Sequence, residues 1–502
     1  MIDSELMRLS SFDHNGAVYL SSVSSNFLFI LLTATLLSCI ICWGRTQRNK
    51  KSPPVAPIGM LGTLQAMKST DAFLFVRDMV KATGSDIFRL RLPMPGGVYV
   101  VGNPTAMRKI FTDKTTDKPK MIYAATDYAT GTESILTRHT KSKEWKSARK
   151  CLSYSFSSSE VNRMNRICTD QVNSWIQERL EPLVDKNEAF DPSEEMTYLT
   201  FNTILEAAFE YPKISGEEYH SIRQNLDAGI MEFAGKSFGN PFRMYYGFLL
   251  SEYRQSRKSL EVLIAFSTKI LEAYKKNSNK SKNKTIIRLI VENKEYKSDK
   301  ERISDILATV IAGHETTGFT LGSTLMLLAK HPKVAEKLRD ELLSMDPSKR
   351  SSRSGYLSKV VRESKRILPV IPIGTWRITG RDFSFKEGSI IIPKGTTCLL
   401  PIIVAHNHVE TFKDPDNFRP ERWEQEDDSM HAAMMSYALG NRDCIGQALA
   451  IAEIYSVLPM LLAEYKFDIE EEGKLESFLT LHYTGARLKP TRIKGKSFES
   501  TP

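Results

Sequence analysis

Helical apolar spacing runs from Arg302 to Lys330, the longest such stretch in the chain, and its middle reads Ile311-Ala-Gly-His-Glu-Thr-Thr-Gly318. Gly313 and the adjacent Thr316-Thr317 are poor helix formers, together costing about 1 to 2 kcal/mol relative to better ones. A long buried helix that accepts this cost has one of two uses for it. Either the small residues let another helix cross closely, with Glu315 left on the surface, or they open a local groove. In the second case Glu315 and Thr316 offer a carboxylate and a hydroxyl to a proton path.

Most of residues 140 to 370 shares this helical character. Lys143 to Arg149, Val161 to Val184, Ser256 to Lys275 and Pro332 to Leu343 all show apolar spacing beside charged faces. Strand-like runs are fewer: Ile87 to Leu92, Val98 to Val101, and Ser389 to Ile392 before a Pro-Lys-Gly turn. The expected class is mainly α with small β-sheets, an α+β arrangement in one large body, because no linker divides the chain after residue 60. The formal net charge is +10, and the Lys275 to Lys284 tract (KKNSNKSKNK) carries part of it as a solvated loop. No nucleic-acid motif accompanies that charge, so attraction to an acidic membrane surface is the functional alternative. The six cysteines form no framework in the globular part, which points to a reducing compartment.

Phe27 to Trp43 (FLFILLTATLLSCIICW) holds no charge over about 17 residues, the short end of what spans a bilayer. Arg45, Arg48, Lys50 and Lys51 follow it and, by the positive-inside rule, stay cytosolic with the body. A cleaved signal peptide would want basic residues before the run and small ones after it, so an uncleaved anchor is the expectation. Ser52 to Gly59 (SPPVAPIG) then reads as a stiff extended connector.

Three further constellations bear on chemistry. In Ser436 to Ala450 (SYALGNRDCIGQALA), Cys444 sits between Gly440, Arg442 and Gly446 where a helix begins; buried inert packing is the plainer alternative for a lone thiol. Glu363 and Arg366 lie at i and i+3 on one helix face, and Arg422 of "FRPERW" can join them in a buried charge network. Trp145 and Arg149 share another face, where an indole N–H and a guanidinium can both donate to an anion; a buried Trp beside a surface Arg is the alternative.

Taken in order, these pieces resemble the cytochrome P-450 family of haem-thiolate monooxygenases from about Pro53 to Pro490. Tyr437-x-x-Gly440-x-Arg442-x-Cys444-x-Gly446 is similar to the family's Phe-x-x-Gly-x-Arg-x-Cys-x-Gly, and Ala312-Gly313-His314-Glu315-Thr316-Thr317 to its oxygen-activation helix. Glu363-x-x-Arg366, Pro420-Glu421-Arg422 and Trp145-x-x-x-Arg149 match further family motifs. The resemblance implies the cytochrome P-450 fold and haem b (iron protoporphyrin IX), with Cys444 as the iron ligand. It implies that Trp145, Arg149, Arg377 and Arg442 hold the propionates and that Glu315 and Thr316 steer protons. Gly440 and Gly446 would let backbone approach the porphyrin closely. The expected organisation is a non-cytosolic segment (1–25), a transmembrane anchor (26–43), a basic, proline-rich linker (44–59) and a haem-binding catalytic domain (60–502).

The implied function is insertion of one oxygen atom from O2 into a hydrophobic, lipid-like small molecule by an endoplasmic reticulum membrane protein whose catalytic domain is cytosolic. No flavin or nucleotide-binding domain follows before Pro502, so electrons are expected from a separate NADPH-cytochrome reductase, with cytochrome b5 as a further donor. The competing readings are a haem-thiolate isomerase or lyase acting on a peroxide without a reductase, and a non-catalytic haem-binding scaffold. The intact Glu315-Thr316 pair argues against both. Tyr123 to Ile135, Phe233 to Phe248, Val370-Ile371 and Leu481 to Tyr483 match pocket-lining regions of the family. Three departures from the pattern stand out: Tyr437 replaces the usual Phe, Ser364-Lys365 replaces a frequent Thr-Leu, and the segment from Ser344 to Ser354 is short, with a basic loop from Lys349 to Arg353.

Overall fold

The computed structural model describes residues 51–493, apart from 93, 95, 121, 124–128, 233–245, 278–281 and 354. The expected anchor with Cys39 and Cys42, and most of the Phe233 to Phe248 stretch, lie outside the described residues. Residues 51–92 and those from 98 onward group as one compact unit. Met94, Gly96 and Gly97 group apart from it, and the Gly97 N–H donates to the Met94 carbonyl at 2.9 Å.

In chain order, strands β1 (Ile87–Leu90) and β2 (Val98–Val101) are followed by helices α1 (Pro104–Thr112), α2 (Lys143–Ser153), α3 (Ser158–Trp175), α4 (Pro192–Phe209), α5 (Gly216–Ile230), α6 (Ser251–Lys276), α7 (Asp299–Lys330) and α8 (Gly355–Ile367). Strands β3 (Thr375–Ile378), β4 (Phe383–Phe385), β5 (Ile390–Ile392) and β6 (Thr397–Leu400) come next, then α9 (Gln447–Glu464) and strands β7 (Tyr465–Glu471), β8 (Lys474–Ser477), β9 (Leu481–Thr484) and β10 (Arg487–Arg492). The chain is mostly helical with small sheets, as its periodicity predicts. The largest sheet runs β1-β2-β6-β3, parallel only between β2 and β6. The proline-rich connector joins its edge: the Arg89 N–H donates to the Pro54 carbonyl (2.8 Å) and the Ala56 N–H to the Arg89 carbonyl (2.9 Å).

Local chemistry explains the central helices. Ser298 caps α7 by accepting from the Glu301 N–H at 3.4 Å, with Asp299 and Glu301 in the first turn and Lys330 in the last, each complementing the helix dipole. Asp191 caps α4, accepting from the Ser193 and Glu194 N–H groups at 2.8 and 3.0 Å, and Pro192 starts it without wasting a donor. These two helices pack on one another more extensively than any other pair among the described residues. Their closeness depends on glycine: a Cβ at Gly318 would lie 2.6 Å from the Thr197 Cα. Part of the cost of small residues in α7 is therefore repaid by a close helix crossing.

Individual spans differ from expectation for identifiable reasons. The single helix expected from Val161 to Val184 is α3, a wide π turn over Ile176–Leu180, and Glu181–Lys186. Helix α4 is buried on nearly every face, so it carries no polar stripe to mark it in the sequence. Helix α9 is long and apolar enough to cross a membrane, yet most of it is buried in the core.

The Glu363 network forms as a single buried unit. The Glu363 carboxylate accepts from Arg366 Nε and one terminal nitrogen (both 2.9 Å), Arg422 Nε (2.8 Å), Trp423 Nε1 (3.0 Å) and the Arg419 N–H (3.0 Å). Arg366 continues to the carbonyls of His406 (3.1 Å) and Pro415 (2.8 Å). Replacing Glu363 with Ala strands two buried guanidiniums, and a loss of about 3 to 5 kcal/mol in unfolding free energy is expected. Chemical denaturation measures it; a loss no larger than that of an ordinary surface ion pair would show the network to be dispensable.

Candidate haem site

Two backbone constraints shape the segment before α9. Gly440 takes φ +77°, and a Cβ there would lie 2.3 Å from the Phe111 carbonyl oxygen, so the loop crosses the end of α1 at a distance only glycine permits. Ala438 also adopts a left-handed φ of 54°, a conformation that a non-glycine residue holds only under local constraint. The Cys444 N–H then returns to the Tyr437 carbonyl at 2.9 Å, closing the loop. The Cys444 side chain is accessible although protein surrounds it, as expected of a residue lining an internal opening. Burial pushes its thiol pKa up, while the Gly446 N–H, Arg149 and the Gln447 N–H, at the start of α9, favour the thiolate. A Cβ at Gly446 would meet only the Cys444 Sγ, at 3.9 Å.

Four cations gather beside this loop. Arg442 lies over the Trp145 ring at 4.1 Å, donates to Thr140 Oγ1 (2.7 Å) and the Ile135 carbonyl (3.1 Å), and stands 3.7 Å from Asp117. Arg377, on β3 and 2% exposed, donates to Thr375 Oγ1 (2.8 Å) and the Trp376 carbonyl (2.9 Å) and makes no carboxylate ion pair among the described residues. Arg149, one turn beyond Trp145 on α2, pairs with the Asp443 carboxylate and donates to its carbonyl at 3.0 Å. The fourth, Lys118, donates to the Leu136 carbonyl at 2.6 Å and sits 4.4 Å from the Tyr123 ring centroid.

The electrostatics show that this cluster lacks anions. Burial lowers the Arg442 pKa to about 10, and Asp117 only partly opposes that. Burial, Arg377 and Arg442 together drive the Lys118 ammonium well below its ordinary range, with Asp117 opposing. Asp117 is itself engaged by Thr140 and lies 3.0 Å from His139. The Trp145 indole N–H makes no hydrogen bond among the described residues. Buried cations in this number are stable only with further negative charge, and two carboxylates from a bound group would supply it.

Helix α7 provides a second wall. Residues 317–328 are buried without a break, whereas Ala312 is exposed and Thr316 half-exposed in mid-helix. The Thr316 hydroxyl donates to the Ala312 carbonyl at 3.0 Å. Glu315 is buried on another side, where burial and then Asp227 raise its pKa to about 8 and Arg223 opposes; both partners come from α5. The alternatives for the glycine-threonine run therefore coexist: its glycines serve the crossing with α4, and Ala312 and Thr316 open a notch. His314 is kept neutral by burial, its pKa lowered to about 4, with Nδ1 2.7 Å from the Val310 carbonyl. Of the expected pocket regions, the Leu481 N–H donates to the Val370 carbonyl at 2.8 Å, and His482 stacks on Phe319 of α7 at 4.2 Å. Residues 124–128 lie outside the described residues.

A cysteine at a strained loop before a helix, a cation cluster short of anions and a notched central helix define a protein built to hold a dianionic group with a thiolate ligand. The cytochrome P-450 family profile matches residues 52–495, and the chain belongs to the cytochrome P-450 family. Members of this family bind iron protoporphyrin IX through a cysteine thiolate. Among relatives, the chain is 31% identical over 253 residues to cytochrome P-450 monooxygenase traB of Penicillium crustosum, covering 48% of this chain and 49% of traB. It is 29% identical over 292 residues to cytochrome P-450 4F12 of Homo sapiens, covering 55% and 53% respectively. A bifunctional cytochrome P-450/NADPH–P-450 reductase of Bacillus subtilis is 26% identical over 417 residues, covering 79% of this chain and 38% of that protein. The chain thus spans about half the length of the first two relatives.

The sequence motifs did not reveal Lys118, Arg223 or Asp227. Each is an isolated charge with no spacing that ties it to another site residue, and only folding brings it there. If Lys118 serves a dianion, Lys118→Met should leave the haem-free protein no less stable, since it relieves repulsion, yet speed haem loss about tenfold. Thermal melts and haem transfer to an apoglobin acceptor read the two effects; unchanged haem retention would refute the assignment.

Proposed function

We propose that this protein is a membrane-anchored haem-thiolate monooxygenase of the endoplasmic reticulum that inserts one oxygen atom from O2 into a hydrophobic, lipid-like small molecule. The observation that carries the reading is the accessible Cys444 sulfur beside Lys118, Arg149, Arg377 and Arg442, a cluster with too few carboxylates of its own. When bound, thiolate-ligated haem supplies the oxygen activation and O–O cleavage.

The chain's residues then have separable tasks. Cys444 ligates the iron, and the Gly446 and Gln447 N–H groups favour its anionic form. Trp145, Arg149, Arg377, Arg442 and Lys118 hold the propionates and so orient the ring. Glu315, with its pKa near 8, carries a proton at neutral pH, and the Thr316 hydroxyl holds one at the notch. Asp227 and Arg223 connect Glu315 with α5 and set its proton affinity.

Electrons come from a separate NADPH-cytochrome reductase, with cytochrome b5 as a second donor; the Bacillus subtilis relative, named for both functions, supports an NADPH source. Leu61, Phe248 and Leu249 are 75%, 60% and 64% exposed, and such apolar side chains at the surface support contact with a bilayer and entry of lipid-like substrates.

Reduced protein with carbon monoxide should show the strongly red-shifted Soret band of thiolate ligation, lost in Cys444→Ala; a histidine-type band in the native protein would sink the proposal. Thr316→Ala should lower product formed per NADPH consumed, and unchanged coupling would remove Thr316 from the proton path. Glu315 loses its proton as pH rises through about 8, so coupling should fall across that range. Glu315→Gln should abolish this alkaline limb, and a limb that persists in the variant would assign it to another group.

A further inference from the structure

The departures at Ser364-Lys365 and Tyr437 meet in space. Ser364 ties α8 to the central helix, its hydroxyl 2.6 Å from Thr324 Oγ1. On the same helix Lys359 pairs with Glu424 at 3.0 Å, Arg362 with Glu426, and Arg366 with Glu363 at 2.9 Å. Lys365 alone among these four basic residues has no carboxylate partner among the described residues. Its ammonium lies 4.9 Å from the ring centroid of Tyr437, the aromatic residue of the Cys444 loop.

This placement is braced from both sides. The neutral His406 imidazole has Nδ1 3.1 Å from the Lys365 carbonyl and accepts the Met435 N–H at its Nε2, 3.0 Å. One ring thus spaces the α8 backbone from the start of the cysteine loop. The other groups that bear electrostatically on Tyr437 are Cys444, Tyr455, Glu453 and Arg353. Glu453 offers no compensating charge: burial raises its pKa well above the carboxylate range, so it stays protonated. The Tyr437 hydroxyl makes no hydrogen bond to the Cys444 sulfur among the described residues; the loop's link between these two residues runs through backbone.

We propose that Lys365 is a positioning residue for redox poise: its uncompensated ammonium, seated on the Tyr437 ring beside the Cys444 loop, raises the reduction potential of the cysteine-ligated haem. The inference rests on the haem-thiolate reading above. One-electron reduction adds negative charge at the iron and its ligand, and a fixed cation held away from bulk water favours the reduced form. Lys365 carries that charge at neutral pH, since burial and then Arg362 lower its pKa to about 8. The electron comes from the reductase or, in the test, from a chemical mediator.

The experiment is a potentiometric titration of the haem-loaded full chain in the native form and as Lys365→Met, Lys365→Arg and Tyr437→Phe. Reduced carbon monoxide spectra are recorded first. Loss of the red-shifted band in the native protein would overturn the haem-thiolate reading itself. With the band present, Lys365→Met should shift the midpoint to more negative potential, with a severalfold lower ferrous-to-ferric ratio at the native midpoint. Lys365→Arg should restore the native value, and Tyr437→Phe, which keeps the ring, should match it. A native midpoint in Lys365→Met, or an equal drop in Tyr437→Phe, would overturn the inference and, in the second case, assign the effect to the hydroxyl.

Discussion

One buried carboxylate organises the side of the molecule that carries the cysteine. Glu363 accepts from two guanidiniums, an indole and a backbone N–H, and none of these donors has another carboxylate of its own there. Through Arg366 the network holds the carbonyls of His406 and Pro415. His406 then passes the constraint to Met435, just ahead of the Cys444 loop. A buried charge of this kind contributes little net stability compared with apolar packing, but any partial version of it is costly. The effect is to leave one arrangement for α8, the 406–423 segment and the loop that presents the sulfur.

Charge elsewhere is distributed by the opposite rule. Around Glu363 each buried guanidinium meets the carboxylate directly; near Cys444, Arg377 and Lys118 meet none among the described residues. Lys118, Arg377 and Arg442 sit together with Asp117 as their main shared counter-charge, and Lys118 is driven far from its ordinary basicity as a result. On α7, burial holds a proton on Glu315 and keeps one off His314. On α9, burial holds a proton on Glu453. The interior therefore mixes neutralised acids with uncompensated bases, a balance suited to an anionic group that draws electrons.

The helical body and the Glu363–Arg366–Arg422 association were legible in the sequence, because each depends on neighbours at short, regular spacing or on a motif with a fixed order. Helix α7 starts three residues before the expected Arg302, at a Ser298 cap that apolar spacing does not mark. Helix α4 was much less legible: it is buried on nearly every face, with polar residues such as Thr197, Thr200 and Asn202 inside as well, and periodicity marks only helices with a wet face. The groove and the close crossing could not be separated at the IAGHETTG run, since both ask for small residues. Three dimensions resolve it, with Gly318 against Thr197 and Ala312 left open. Gly440 was expected to make room for a porphyrin, and its tightest demand is the Phe111 carbonyl.

Residue order and local backbone chemistry were enough to recognise the family and the mainly helical class, and to single out the cysteine set between glycines. The resemblance already grouped Arg149, Arg377 and Arg442; folding added Lys118 to them and Lys365 to the Tyr437 ring. Lys118, Arg149, Arg377 and Arg442 come from four separate parts of the chain, and Lys365 reaches Tyr437 across 72 positions only through the brace at His406. Electrostatic interaction depends on distance and burial rather than on separation along the chain, so a residue's charge can be read from sequence but its effect cannot.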